Sequence, residues 1–175
     1  YAGLQDRGTY TTETAQSASA NIAANLRANI LYKTYSTTDF KTDTDISYDR
    51  MLTYRGDLRA ALAPLLQNTG AELELYGKYI ETADTKYLGQ LSSAAANYRA
   101  AAQGAAALTI PRDAVNYHKD ILNAMEKFSA TLDKMATHAA DPLASAALLR
   151  TFNQAETDMY TSFNALSNYY GQKTP

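Results

Sequence analysis

The sequence contains no cysteine, which removes disulfides, thiolate nucleophiles, zinc ribbons and iron–sulfur ligation together. Tryptophan is absent as well, and histidine occurs only twice. No stretch approaches the roughly 18 continuous apolar residues that a membrane span requires. No block of Lys or Arg occurs, and the formal net charge is −2. The bulk electrostatics of nucleic-acid binding are therefore missing, as is a polybasic membrane patch, and no nucleic-acid partner is expected. Walker, Rossmann and HExxH patterns and the GxSxG nucleophile turn are all lacking. A di-iron bundle site needs Glu-x-x-His pairs facing inward. Val115 stands three residues before His118, and Met135 three before His138. No metal, cofactor or enzymatic activity is expected.

What is present is helical spacing. The chain has 175 residues and an apolar fraction of 46%, enough for one domain, residues 1–175, with a sizeable core. Apolar residues recur at three and four almost throughout, while period-two alternation is rare. Residues 1–9, YAGLQDRGT, read as a frayed tail. A first helix spans about Tyr10 to Tyr35, on a stripe of Ala15, Ala18, Ile22, Leu26 and Ile30. A polar Thr/Asp stretch, 36–47, favours loops and caps, so the second helix should begin near Asp45 or Ser47. Its stripe is Met51, Leu58, Leu62 and Leu65, flanked by Leu52 and Leu66. Pro64 must kink or end it. Asn68-Thr69-Gly70 then reads as a stop.

A long third helix is expected over about Ala71 to Ala107, striped by Leu73, Tyr76, Ile80, Ala83, Tyr87, Leu91, Ala94, Tyr98 and Ala102, with a bend or break near Gly89. Pro111 suits the first turn of a fourth helix, which carries Ala114, His118, Ile121, Met125, Phe128, Leu132 and Met135. Asp141-Pro142 opens a fifth, and Gly171 supplies a left-handed stop. Short links between long amphipathic helices imply antiparallel neighbours. The expected fold is all-α: an up-and-down antiparallel bundle of about five helices.

His118 lies on an apolar stripe, so the first question is what satisfies its ring. Counting back from the turns places it level with Tyr98 and Gln103 on one side, and with Asn164, Ser162 and Ser167 on the other. A polar clasp of Tyr117 and His118 with those groups is expected, because an unsatisfied buried polar group costs about 1–3 kcal/mol. A small-ligand pocket could use the same groups. His138, at a helix end, complements the dipole. Asp43, Asp45, Ser47 and Asp49 alternate like a calcium loop, but an EF-hand needs Gly and Glu where Tyr48 and Tyr54 stand. Fourteen tyrosines against four phenylalanines raise the prospect of an aromatic interaction surface. Tyr32, Tyr35, Tyr48, Tyr54 and Tyr87 are expected to gather at one end. Glu126, Asp133 and Asp120 fall off the apolar stripe and offer no inward carboxylate pair.

The C-terminal third combines Pro111, Tyr117-His118, Leu122-Asn123 and the helix start Asp141-Pro142. In this it resembles uncharacterised all-helical extracytoplasmic proteins of uncultured, reduced-genome bacterial lineages. The resemblance implies a membrane-tethered or exported location and brings no activity. A chain opening on Tyr1 reads as processed or trimmed, which leaves an upstream signal or membrane tether open without establishing one. The abundance of Ala, Thr, Ser, Asn and Tyr points the same way, to a periplasmic or cell-surface protein. The leading expectation is a non-enzymatic interaction or structural module with an unknown protein partner, in which alanine faces could also pair copies of the chain into a homo-oligomer. The alternative is a ligand-binding sensor or solute-binding bundle with a pocket near His118.

Overall fold

The computed structural model describes residues 30–175 throughout and, before them, 16–18, 20–22 and 25. Those early positions are helical, and Ala18 and Ile22 of the expected stripe are half-buried. The tail and much of the first helix lie outside the described residues. Where that helix was expected to continue to Tyr35, residues 30–36 are instead non-helical. They form a strap that buries Ile30 and Tyr35 and leaves Leu31 exposed.

A short 3-10 turn, Thr37–Asp39, leads into β1 (Lys41–Asp43) and α1 (Tyr48–Ala61). A 3-10 segment, Ala63–Gln67, precedes α2 (Glu72–Thr82), α3 (Lys86–Ala106), β2 (Thr109–Pro111), α4 (Val115–His138) and α5 (Pro142–Gln172). The architecture is all-α, an antiparallel bundle of about five helices with a minimal two-stranded ladder at one end. Among the described residues no helix is long and apolar enough to cross a membrane.

The central element is α4. All seven positions of its stripe, Ala114 through Met135, are at most 1% exposed. It lies between α3 and α5. The face towards α3 meets small side chains: Ala94, Ala95, Ala101, Ala102 and Ala105 are all buried. They let the two helices approach closely enough for Ser129 Oγ to donate to the Ala95 carbonyl at 2.8 Å. On α5, Leu148, Phe152, Ala155 and Leu166 are buried, and Met159, Phe163 and Tyr170 on the same helical spacing are half-buried. Asp141 caps α5 by accepting from the Leu143 and Ala144 amides at 2.9 and 3.2 Å. The expected stop at Gly171 does not occur, and the helix runs to Gln172. The chain is held just beyond it, where Lys173 pairs with Asp113 at 2.6 Å and donates to the Ile46 carbonyl at 2.6 Å.

The expected third helix is two helices. The chain reverses at Ala83, whose backbone is left-handed at φ 56° and ψ 17°. Asp84 accepts from the Lys86 amide at 2.9 Å and so starts α3. Below the reversal, α2 folds back along α3. Tyr98 donates to Glu72 at 3.1 Å, and Asn97 donates to Asn68 at 2.8 Å. The turn resets the helical register, so Leu75 and Tyr76 point inward while Leu73 and Ile80 are 45% and 58% exposed. Gly89 is an ordinary position inside α3.

Ser47 caps α1 by accepting from the Arg50 amide at 3.2 Å, and α1 gives way to the 3-10 turn that contains Pro64. The two stretches expected as loops pair in parallel, with Lys41 opposite Thr109, Thr42 opposite Ile110 and Asp43 opposite Pro111. Pro111 therefore sits in β2 instead of the first turn of a helix, and α4 begins at Val115. Arg50 fastens the ladder from α1, donating to Asp43 at 2.7 Å and to the Thr109 carbonyl at 2.6 Å.

Left-handed backbone costs a non-glycine residue about 1–2 kcal/mol, against a glycine entropy cost of about 0.5–1 kcal/mol. Ala83→Gly is expected to stabilise the chain by about 0.5–1 kcal/mol, read as a raised urea midpoint at constant m-value. An unchanged or lowered midpoint would show that Ala83 carries no such strain.

Candidate functional site

His118 projects from the first turns of α4 and is fully buried. Its Nδ1 lies 2.9 Å from the Tyr54 hydroxyl, and its Nε2 lies 3.2 Å from the Ala105 carbonyl. A carbonyl only accepts, so Nε2 carries the proton and Nδ1 accepts from Tyr54. The Ala105 carbonyl belongs to the last turn of α3, where helix acceptors lack intrahelical partners. It also receives the Leu108 amide at 3.1 Å. Phe40 meets the imidazole edge-on at a centroid distance of 5.1 Å. Burial pushes the His118 pKa down to about 4, partly offset by the Ala105 bond. Burial, foremost, also holds the Tyr54 hydroxyl well above its ordinary range. The ring is a neutral, fully bonded core group.

The expected burial of His118 holds, but its expected partners do not. Gln103 and Asn164 are exposed. Tyr98 spends its hydroxyl on Glu72 and its ring on Phe128, at 4.9 Å between centroids. Tyr117 packs its ring on Tyr169 at 5.3 Å. The helices adjacent in sequence do not supply the partners, because α1 inserts Tyr54 at this point.

The expected tyrosine end forms only in part: Tyr35, Tyr48 and Tyr54 share one hydrophobic cluster, to which Tyr32 and Tyr87 do not belong. Tyr54 and Tyr35 are core residues, and Tyr48 is half-buried at the start of α1 beside the ladder. Tyr32 is 38% exposed on the strap. Tyr87 lies at the opposite end of the bundle, under Lys86 at 4.8 Å. The reversal at Ala83 put it there, roughly the 30 Å length of α3 away from β2.

Phe40 was not singled out from the sequence, Asn123 appeared there only beside Leu122 in the C-terminal motif, and Glu126 only as a residue off the apolar stripe. Asn123 accepts from the Tyr35 amide at 2.7 Å and donates to the Tyr35 carbonyl at 3.0 Å, clamping the strap to α4. The Tyr35 hydroxyl donates to Glu126 at 3.4 Å. Glu126, expected off the buried stripe, is only 4% exposed. Burial raises its pKa above the usual carboxylate value, although the Tyr35 bond and the Arg99 and Lys33 charges pull the other way. A hollow of about 230 Å³ beside it is lined by Lys33, Arg99, Gln103 and Glu126, among others. Phe40 was one of two large apolar residues, with Ile46, in a polar loop, which was the available signal. Nothing comparable marked Asn123 or Glu126, because the sequence did not show that a strap crosses α4 there.

The largest apolar concavity of those described lies elsewhere. Between α1 with its 3-10 extension and the C-terminal part of α5 runs a trough of about 460 Å³. Leu58, Leu62, Leu65 and Leu66 line one wall, and Phe163, Leu166 and Tyr170 the other. Leu66, expected beside the core, is 88% exposed. Arg55 and Arg59 stand at its edge, with the Arg55 guanidinium 5.7 Å from the Tyr170 ring centroid. His118 lines neither this trough nor the hollow at Glu126. Among the described residues no group of three or more His, Asp or Glu side chains could hold a metal ion. Comparison with protein-family models, curated proteins and solved structures yields no match.

Two titrations follow with opposite signs. His118 has a folded pKa below its unfolded value of about 6.5, so the unfolded chain binds its proton first as pH falls. Stability from this group should be intact above pH 6.5 and about 3 kcal/mol lower by pH 4. Nitrogen NMR at pH 6 should show a protonated Nε2 and an unprotonated Nδ1; an imidazolium, or the other tautomer, would contradict the geometry. Glu126 has a raised folded pKa, so its carboxyl is favourable below its unfolded value and costs stability as pH rises through the folded one. Glu126→Gln should therefore stabilise the chain at pH 7, with the gain vanishing in acid. A loss at pH 7 in denaturant titration would mean that the Lys33 and Arg99 charges outweigh burial.

Proposed function

We propose that the chain is a non-enzymatic helical interaction module working outside the cytoplasm, displayed from a membrane by a tether upstream of these residues. Its bundle is the scaffold, and the trough between α1 and α5 is the contact surface for a protein partner. One observation carries this reading: a continuous apolar wall of four leucines faces Phe163, Leu166 and Tyr170 with no described residue over it. Exposed apolar surface of that continuity marks binding sites more often than bare monomer surface. His118 supports the non-enzymatic side, since its neutral ring has both nitrogens engaged in the core and lines neither the trough nor the hollow at Glu126. The location rests on composition and on the resemblance of the C-terminal third.

A second reading, a ligand-binding bundle, moves from His118 to the hollow at Glu126. There a buried carboxylate between Lys33 and Arg99 offers both signs of charge to a small polar molecule. A thermal-shift series with amino acids and other small zwitterions tests it, because a ligand of the native state must raise the midpoint.

The lack of native cysteine makes the interaction reading directly testable. Leu66→Cys carrying a photo-crosslinker should give a discrete adduct in an envelope extract from the source cells, competed by unlabelled chain. The same label at Ser93→Cys, exposed on α3, should not. Equal adducts from both positions would remove the trough as the contact surface.

A further inference from the structure

The two lips of the trough are chemically different. On α1, Arg55 and Arg59 are spaced four residues apart and so lie on one face, one turn from each other. Both are exposed, and neither joins an ion pair among the described residues. Asp57, between them in sequence, projects to a different side of the helix. Tyr170, from the far wall, holds the Arg55 guanidinium across its ring. On α5 the opposite lip carries no charge, since residues 159–172 contain no Asp, Glu, Lys or Arg. The trough thus offers an apolar floor, a cationic row on one side and a neutral Ser/Asn row on the other.

Resting on the interaction reading, we infer that the trough takes an amphipathic helix of about three turns bearing a row of Asp or Glu along one edge. The length follows from the wall: Arg55 to Leu66 spans about 16 Å of helix. The conformation follows from the lining. The walls are side chains of helices and offer no free strand edge, so the occupant must satisfy its own backbone, as a helix does. The charge pattern follows from the arginines. Their one-turn spacing matches carboxylates at i and i+4 on a helix laid alongside, which a single anionic headgroup on an acyl chain cannot reproduce.

The test uses the full chain and two synthetic 14-residue peptides with the same Leu stripe. One carries Glu at two flanking positions spaced by four, and its twin carries Lys there. Fluorescence anisotropy at low salt should show the Glu peptide binding about tenfold tighter than the Lys peptide, as two rim pairs would give. High salt should narrow the gap. The exposed-site double variant Arg55→Glu/Arg59→Glu should reverse the order, and Arg59→Glu alone, which leaves the Arg55–Tyr170 contact in place, should abolish most of the difference. Equal binding of both peptides in every variant would overturn the acidic row. Failure of both peptides, with dodecanoate bound instead, would overturn the helix in favour of an acyl chain. A specific Leu66 crosslink alongside failed peptides would leave the interaction reading standing and remove only this occupant.

Discussion

The imidazole of His118 is the constraint on which the lower half of the bundle depends. A ring with no solvent access must find one donor and one acceptor inside the protein. The donor comes from Tyr54 on α1 and the acceptor from the end of α3, while Phe40 closes the remaining side. Three parts of the chain far apart in sequence are thereby fixed against the start of α4. The position of α1 matters most, because α1 forms one wall of the trough. A group with no access to solute thus shapes the surface that has it.

Size complementarity organises the rest. Alanines on α3 give up side-chain volume so that α4 can come close, and the bulk removed there returns on the other side of α4 as Phe152 and Leu148. The aromatic sequence Tyr98, Phe128, Phe152 runs through the middle of the bundle, with centroids 4.9 and 5.2 Å apart. The strap crosses α4 at Asn123, whose side-chain amide holds it in the manner of a strand pair, with Tyr35 stacked on Phe40 at 5.7 Å. On α4 the apolar stripe packs against its chain neighbours α3 and α5, while Asn123 and His118 reach the strap and α1, which are distant in the chain.

That division explains what could be read from the sequence. The stripe of α4 and the cap of α5 are local patterns, a period and an Asp-Pro start, and both are found where expected. The reversal at Ala83 is local too, but it lacks the glycine or proline that usually announces one. Helical spacing that continues across the weak helix formers Thr82, Asp84 and Thr85 hid it, and the left-handed alanine is tolerated because the α2–α3 contacts hold it. Strands of three residues are too short to show a period. The burial of His118 was legible from its stripe. The identity of its partners was not, because no short connection fixes α1 against α4. Leu62, Leu65 and Leu66 were visible as a hydrophobic excess, yet the sequence had no means of saying that part of this excess faces outward.

The small ladder between β1 and β2 has a kinetic meaning. Its two strands are separated by the whole of α1, α2 and α3, so pairing them closes a loop of more than sixty residues for three residue pairs. Closure of that length is entropically expensive and yields few contacts, whereas the α2–α3, α3–α4 and α4–α5 hairpins form from near neighbours. The helical hairpins therefore assemble first, and the ladder, with the Arg50 fastening, is completed on a surface they have already built. In the reverse direction it is the first part to open. Because α1 follows directly from β1, opening the ladder leaves the Tyr54–His118 bond and the buried face of α1 to hold that wall of the trough.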